Sequence, residues 1–248
     1  MPYFKPYEGG ENLKGLTRSN IDWTMFGWPV LSGCERLCSI DGEIYCYGYK
    51  MVTAGRLKGH RWYNSDFSPK FNRDVLEAPL NRQKPATIFI APLGEVWGPW
   101  VPREWQHDIM SIVKRAPQHT FLNLSKYSVS VGQTNWGRPD NIWFGVSVTT
   151  EKDAIHLERL RQLDHPNKFA SFEPLLEDIT SSKYFTLEGI DWVIIGALSK
   201  GSVKVQPDPG HFMRVYSAAR QAGIPVFIKD NCTILTNPPK EFPEGFPK

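Results

Sequence analysis

The chain reads as an α/β protein, a partial or distorted TIM-like barrel of about six parallel strands. Three observations predict it. Short runs of β-branched and aromatic residues alternate with helical stretches, Pro and Gly punctuate the joins, and several runs end on a polar residue. Those polar ends are Glu95, Lys126, Ser147, Glu173 and Lys229. A doubly wound sheet fits the same count, but polar groups recurring just past the strands favour a barrel, whose functional side chains gather at its C-terminal mouth.

In chain order, residues 1–20 hold prolines and glycines but few regularly spaced apolar groups, and read as an irregular lead-in. One domain is expected over 21–230, with a loop-rich insertion at about 50–84 and a tail at 231–248. Trp23 and Trp28-Pro29-Val30 put apolar mass into a first strand ending near Ser32. Tyr47 to Lys58 is a short helix weakened by Gly48 and Gly55, and Arg73 to Leu80 another. Thr87-Ile88-Phe89-Ile90-Ala91 is a buried strand, and Arg103 to Arg115 a helix bounded by Pro102 and Pro117. Strands follow at Thr120–Leu124 and Asn141–Val148. Thr150 caps a helix whose Ile155, Leu157, Leu160 and Leu163 form an apolar stripe. Further strands are read at Lys168–Phe172, Trp192–Gly196 and Ile224–Ile228, with a helix from His211 to Gln221 before the last.

Three of the four cysteines, Cys34, Cys38 and Cys46, crowd into one short stretch, while Cys232 lies far downstream. Three close thiols with no local histidine suit a [4Fe-4S] cluster, which three thiolates can hold with one iron left open. A zinc site completed by Cys232 or a distant histidine, and ordinary cysteines, remain the alternatives. Between Cys38 and Cys46, the segment Ser39 to Tyr45 is long enough to loop out and return.

With 41% hydrophobic and 22% charged residues, the composition is that of a soluble globular protein. Four cysteines are too sparse for a small disulfide framework, and no long apolar run suggests a membrane span or secretory leader, so the cytoplasm is expected. The net charge of +3 implies no polyanionic partner by itself. Between Lys50 and Lys84, however, eight Lys/Arg face only Asp66, Asp74 and Glu77. Arg56, Lys58, Arg61, Lys70 and Arg73 are the residues to test there for contact with nucleic acid. Ser125-Lys126 alone makes no nucleophile, and neither a Ser-His-Asp set nor a P-loop is visible.

The cysteine loop, with Gly33-Cys34, Cys38 and Tyr45-Cys46-Tyr47, resembles the radical S-adenosylmethionine motif. Residues 21–230 are similar, in several ordered segments, to the phage-associated domain-of-unknown-function family related to radical S-adenosylmethionine proteins. Among those segments are Ser125-Lys126, Asn141 to Val148, Ser171-Phe172-Glu173-Pro174 and Phe227 to Lys229. The resemblance implies a partial barrel holding a [4Fe-4S] cluster on Cys34, Cys38 and Cys46, with S-adenosyl-L-methionine beside it. An external one-electron reductant would drive cleavage to a 5′-deoxyadenosyl radical that abstracts hydrogen from a substrate, to be sought among nucleotides or nucleic acids. Gly94-Glu95 stands where the family's glycine-rich segment meets the cofactor's amine, without its doubled glycine. Seven residues separate Cys38 from Cys46, where the familiar motif has two. Tyr47, Ser147 and Glu173 are further cofactor-binding candidates; Lys126, Glu173 and Lys229 are catalytic candidates. A zinc-containing interaction module and an ordinary α/β enzyme are the competing functions.

Overall fold

The computed structural model describes residues 4–5, 15–40, 42–127, 139–200 and 203–247. Its contacts divide the chain into two compact units, Met1–Asn123 with Pro247–Lys248, and Leu124–Phe246.

The first unit opens with β1 (Phe4–Lys5), β2 (Thr17–Ser19) and β3 (Phe26–Trp28). β1 pairs with β2, and β2 with β3, both antiparallel. The described part of the lead-in is therefore partly sheet, which its lack of apolar alternation concealed; residues 6–14 lie outside the described part. The expected first strand is interrupted at Pro29: β4 (Leu31–Ser32) leaves the main sheet and pairs with β7 (Lys70–Phe71). Between them come β5 (Ser39–Ile40), β6 (Glu43–Ile44) and helix α1 (Tyr47–Thr53), shorter than expected because the chain turns before Gly55. The expected helix at 73–80 is instead two 3₁₀ turns, Arg73–Val75 and Ala78–Asn81, with Pro79 breaking continuity.

β8 (Thr87–Ile90) and β9 (Thr120–Ser125) continue the sheet in parallel with β3. Trp28 is wholly buried, tilts against Phe121 at 5.9 Å, and donates from Nε1 to the Val75 carbonyl at 2.8 Å. Helix α2 (Arg103–Arg115) has the expected bounds. It buries Ile109, Met110, Ile112 and Val113 along one stripe and places Lys114 and Arg115 where a helix C-terminus favours cations.

The second unit carries β10 (Ile142–Ser147), helix α3 (Ile155–Arg161), β11 (Lys168–Phe172) and β12 (Trp192–Ile195). After a hairpin of β13 (Leu198–Lys200) and β14 (Val203–Val205) come helix α4 (Pro209–Gln221) and β15 (Val226–Ile228). Strands β10, β11, β12 and β15 lie side by side, all parallel. With β3, β8 and β9 of the first unit, the chain is a mixed α/β protein with mostly parallel strands. Thr150 closes a capping box with Asp153, but the turn it starts is 3₁₀ (Glu151–Ala154) before α3 begins.

Strand register in the second unit sets rows of side chains on one face. Gly145, Phe169 and Trp192 form one row, and Ser147, Ser171, Ile194 and Phe227 the next. The first row is filled by large rings: a Cβ on Gly145 would come within 2.3 Å of Phe169, and Trp192 meets Phe242 and Phe246 at 5.5 and 5.1 Å. Among the described residues, no helix is long and apolar enough to cross a membrane.

Candidate functional site

In the first unit the cysteine loop is shaped by a hairpin. β5 and β6 pair antiparallel, with Gly42 at φ +79° in the turn, and the amides of Tyr45 and Cys46 both donate to the Cys38 carbonyl, at 3.0 and 3.2 Å. The seven-residue interval is thus a folded excursion that returns the backbone beside Cys38. Cys46 caps α1, its Sγ accepting from the Tyr49 amide at 3.5 Å, and Cys34 Sγ accepts from the Arg36 amide at 3.2 Å. All four cysteines are free thiols.

Gly94-Glu95 lies against the start of this loop. Gly33 and Gly94 form a parallel bridge, the Gly33 amide donates to the Leu93 carbonyl at 2.9 Å, and the Glu95 amide returns a bond to the Gly33 carbonyl at 3.3 Å. Neither glycine tolerates a side chain. Gly33 has φ +83° and a Cβ there would sit 2.2 Å from the Ser68 carbonyl oxygen; at Gly94 it would sit 2.7 Å from that of Leu31. Glu95 is buried, and its Oε1 accepts from the Trp97 amide at 3.0 Å. Trp97 in turn donates to Asn123 Oδ1, while Gln106 of α2 donates to the Val96 carbonyl at 2.8 Å.

Cys34 and Cys46 pack against Val52, Tyr63, Phe67 and Leu93. Burial pushes the Cys34 thiol up to about 12, and the Glu95 carboxylate and the neighbouring Cys38 and Cys46 add to the rise. Three half-buried thiols beside a buried carboxylate disfavour added negative charge and suit a cationic occupant. That donor set fits a soft metal held by thiolates. As placed, the described His, Cys, Asp and Glu side chains form no group of three or more at metal-ligating range. Turning a cysteine about its one side-chain torsion re-aims its sulfur without moving the backbone. Tyr47 opens α1, is exposed, and accepts from Arg56 Nη2 at 3.5 Å.

The basic stretch is not a bare cationic surface. Arg61 pairs with Asp74 at 3.2 Å, Arg73 with Asp108 at 3.3 Å, and Lys50 with Glu43 at 4.0 Å; Lys70 donates to the Arg61 carbonyl. Asp108 lies on α2, well beyond residues 50–84 in sequence.

The second unit joins the other candidates. Lys126 Nζ donates to Ser147 Oγ at 3.1 Å, and Ser147 Oγ donates to the Glu173 carbonyl at 3.5 Å. Glu173 Oε1 pairs with Lys229 Nζ, their side chains 22% and 11% exposed. Gly196, just past β12, lies between the two: a Cβ there would be 2.9 Å from Glu173 Cγ and 3.2 Å from Lys229 Cδ. Sequence reasoning missed Gly196, read as a strand end, and Ser171, hidden in a continuous buried run. Ser171 is fully buried, and its Oγ has no partner among the described residues.

A family model described as "Protein of unknown function (DUF5131)" matches residues 18–237. No curated protein matches the chain. A solved structure of spore photoproduct lyase complexed with dinucleoside spore photoproduct shares the fold, with TM-score 0.53 at 10% identity. The alignment covers 76% of this chain and 60% of that one, so the chain spans less than two thirds of that protein.

Proposed function

Since the chain belongs to the DUF5131 family of proteins of unknown function, matched over 18–237, the site must supply the reading, and we propose a radical S-adenosylmethionine enzyme. One observation carries it: the hairpin that returns Cys46 to Cys38 lies in the same loop that Gly33 bridges to Gly94-Glu95.

In this reading Cys34, Cys38 and Cys46 hold a [4Fe-4S] cluster. Such a cluster, reduced by an external one-electron donor, would supply the electron for reductive cleavage of S-adenosylmethionine and so radical chemistry on the substrate. The chain's part is positioning. The Glu95 carboxylate, fixed through Trp97, holds a cofactor ammonium by a charge-assisted hydrogen bond. Val52, Phe67 and Leu93 keep water from the thiols, and Tyr47 shields the mouth of the loop. The strands close as a partial barrel in this reading, which the fold shared with spore photoproduct lyase supports. Lys126, Ser147, Glu173 and Lys229 are assigned to ribose, carboxylate or substrate contacts by their own chemistry. That lyase is complexed with a dinucleoside, which supports a nucleoside or nucleotide substrate here.

Anaerobic reconstitution tests the proposal. Iron and sulfide near four per chain, an electron paramagnetic resonance signal on reduction, and 5′-deoxyadenosine from added S-adenosylmethionine are the expected results. Stoichiometric zinc without iron would make the chain a zinc-containing interaction module, and absence of any metal an ordinary α/β enzyme.

A further inference from the structure

Cys38 and Cys46 stand against each other at the open end of the β5–β6 hairpin. Its register pairs Ser39 with Ile44 and Ile40 with Glu43, so the next residues outward are Cys38 on one side and Tyr45 and Cys46 on the other. The amides of Tyr45 and Cys46 both donate to the one Cys38 carbonyl, at 3.0 and 3.2 Å. Two residues set against one is the pattern of a β-bulge. Opposed residues of an antiparallel pair lie about 4.5–5.5 Å apart at Cα, within the roughly 4.4–6.8 Å that a disulfide spans. Both thiols are also near enough to Cys34 for their charge to reach it, so the side chains as well as the backbones share one neighbourhood.

The other two cysteines are placed differently. Cys34 lies outside the hairpin: its amide donates to the Phe67 carbonyl at 3.0 Å. Its Sγ accepts from the Arg36 amide at 3.2 Å and donates to the Arg36 carbonyl at 3.3 Å. Cys232 is buried and belongs to the second unit. Cys38 and Cys46 are free thiols, each half-buried, so a small oxidant can reach them. The hairpin holds the two together before any bond forms, and closing a bond between them costs little further chain entropy.

We infer that Cys38 and Cys46 form a redox switch: in the metal-free chain they close a reversible disulfide across the base of the hairpin, which shuts the thiol site until it is reduced. The oxidant is a low-molecular-weight disulfide such as oxidised glutathione. One cysteine sulfur attacks it and releases one thiol; the second attacks the mixed disulfide and releases the other. The chain loses two electrons and two protons, and the oxidant becomes two thiols. Two of the three sulfurs that would hold a soft metal are then spent. The switch rests on the proposed thiol site and not on the reaction assigned to it.

The test takes the full chain, reduced and stripped of metal, through a series of glutathione redox buffers. Free thiols are alkylated and the bridges mapped by peptide mass spectrometry. The Cys38–Cys46 bridge should outnumber every other pairing at least tenfold, and it should persist in Cys34→Ser. In denaturant that preference should vanish, because the shorter Cys34–Cys38 loop then competes. Cadmium, a thiophilic probe that reduces nothing, should bind the bridged chain at least tenfold more weakly than the reduced chain in equilibrium dialysis, with binding restored by dithiothreitol. Cys232→Ala should alter neither result. Absence of a bridge in the most oxidising buffer, a predominant bridge through Cys34 or Cys232, the same preference in denaturant, or equal cadmium binding by both forms would each overturn the inference. A chain that bridges and excludes cadmium but, once reconstituted, cleaves no S-adenosylmethionine would keep the switch and lose the radical reading. One that cleaves the cofactor yet never bridges would do the opposite.

Discussion

The amide of Cys46 donates to the carbonyl of Cys38 at 3.2 Å. That bond reconciles an unusually long interval with a shared site, because the residues between the two form a hairpin rather than slack. Its turn contains Gly42 at φ +79°, with open space where a side chain would be. Gly42→Val would meet backbone strain of about 1–2 kcal/mol rather than a clash. We expect iron uptake after reconstitution to fall severalfold although all three cysteines remain, whereas Gly59→Val, at a similar φ outside the loop, should leave iron uptake unchanged.

Replacing Cys34, Cys38 or Cys46 singly by Ala should remove most of the iron while shifting the melting temperature little, since each is only half-buried. Cys232→Ala should leave iron content as it is. Iron and sulfide assays on the four variants separate a three-thiol centre from one completed by Cys232.

Trp192 should dominate the stability of the second unit. It is fully buried, touches the rings of Phe169, Phe227, Phe242 and Phe246, and donates from Nε1 to the Glu241 carbonyl at 3.0 Å. Trp192→Ala should cost about 3–5 kcal/mol, read from urea denaturation followed by far-ultraviolet circular dichroism. Trp192→Phe should cost clearly less.

Asp178 gives a pH dependence of known sign. Its carboxyl is held below the usual carboxylate range by the hydrogen bond from the Thr180 hydroxyl, at 2.6 Å, with Arg214 at 2.9 Å contributing. Because the folded value is the lower one, the stabilisation is fully present above the unfolded pKa of about 4. It is lost as the pH falls through the folded value. Melting temperatures measured from pH 6 to pH 2 should therefore drop further for the wild type than for Asp178→Asn.

The basic segment should bind nucleic acid less steeply with salt than its lysines and arginines suggest, because Arg61 and Arg73 are paired with Asp74 and Asp108. If the segment guides a single strand, Arg56→Gln, Lys58→Gln and Arg61→Gln together should weaken an oligonucleotide about tenfold at low salt and lower the salt slope by about 2. Iron content should not change. An unaltered salt series would remove the segment from the interface.

How much of this was legible in the sequence differs by element. Helix α2 was read to its bounds because Pro102 and Pro117 frame a clear apolar stripe, and β11 because its buried run is short and sharply ended. The hairpin at 39–44 was not, since two-residue strands carry no period to detect. Polar strand ends marked Lys126, Ser147, Glu173 and Lys229, but which of them meet depends on register: Glu173 reaches Lys229 only across Gly196. Ser171 looks like any small residue in a buried strand until its missing partner is seen. Charge in the basic segment was plain, whereas its neutralisation by Asp108 comes from a helix distant in sequence.

Strand β15 ends the parallel row of the second unit, and the tail runs antiparallel along it: Ile228 donates to the Pro239 carbonyl at 2.9 Å, and Glu241 to that of Val226 at 3.1 Å. A bare outermost strand invites pairing with another molecule. Pro238, Pro239 and Pro243 on the covering segment lack amide protons to offer onward. Residues 238–243 thus act as a selvedge, and a chain that loses them should be prone to sticking to its own copies even where its chemistry is intact.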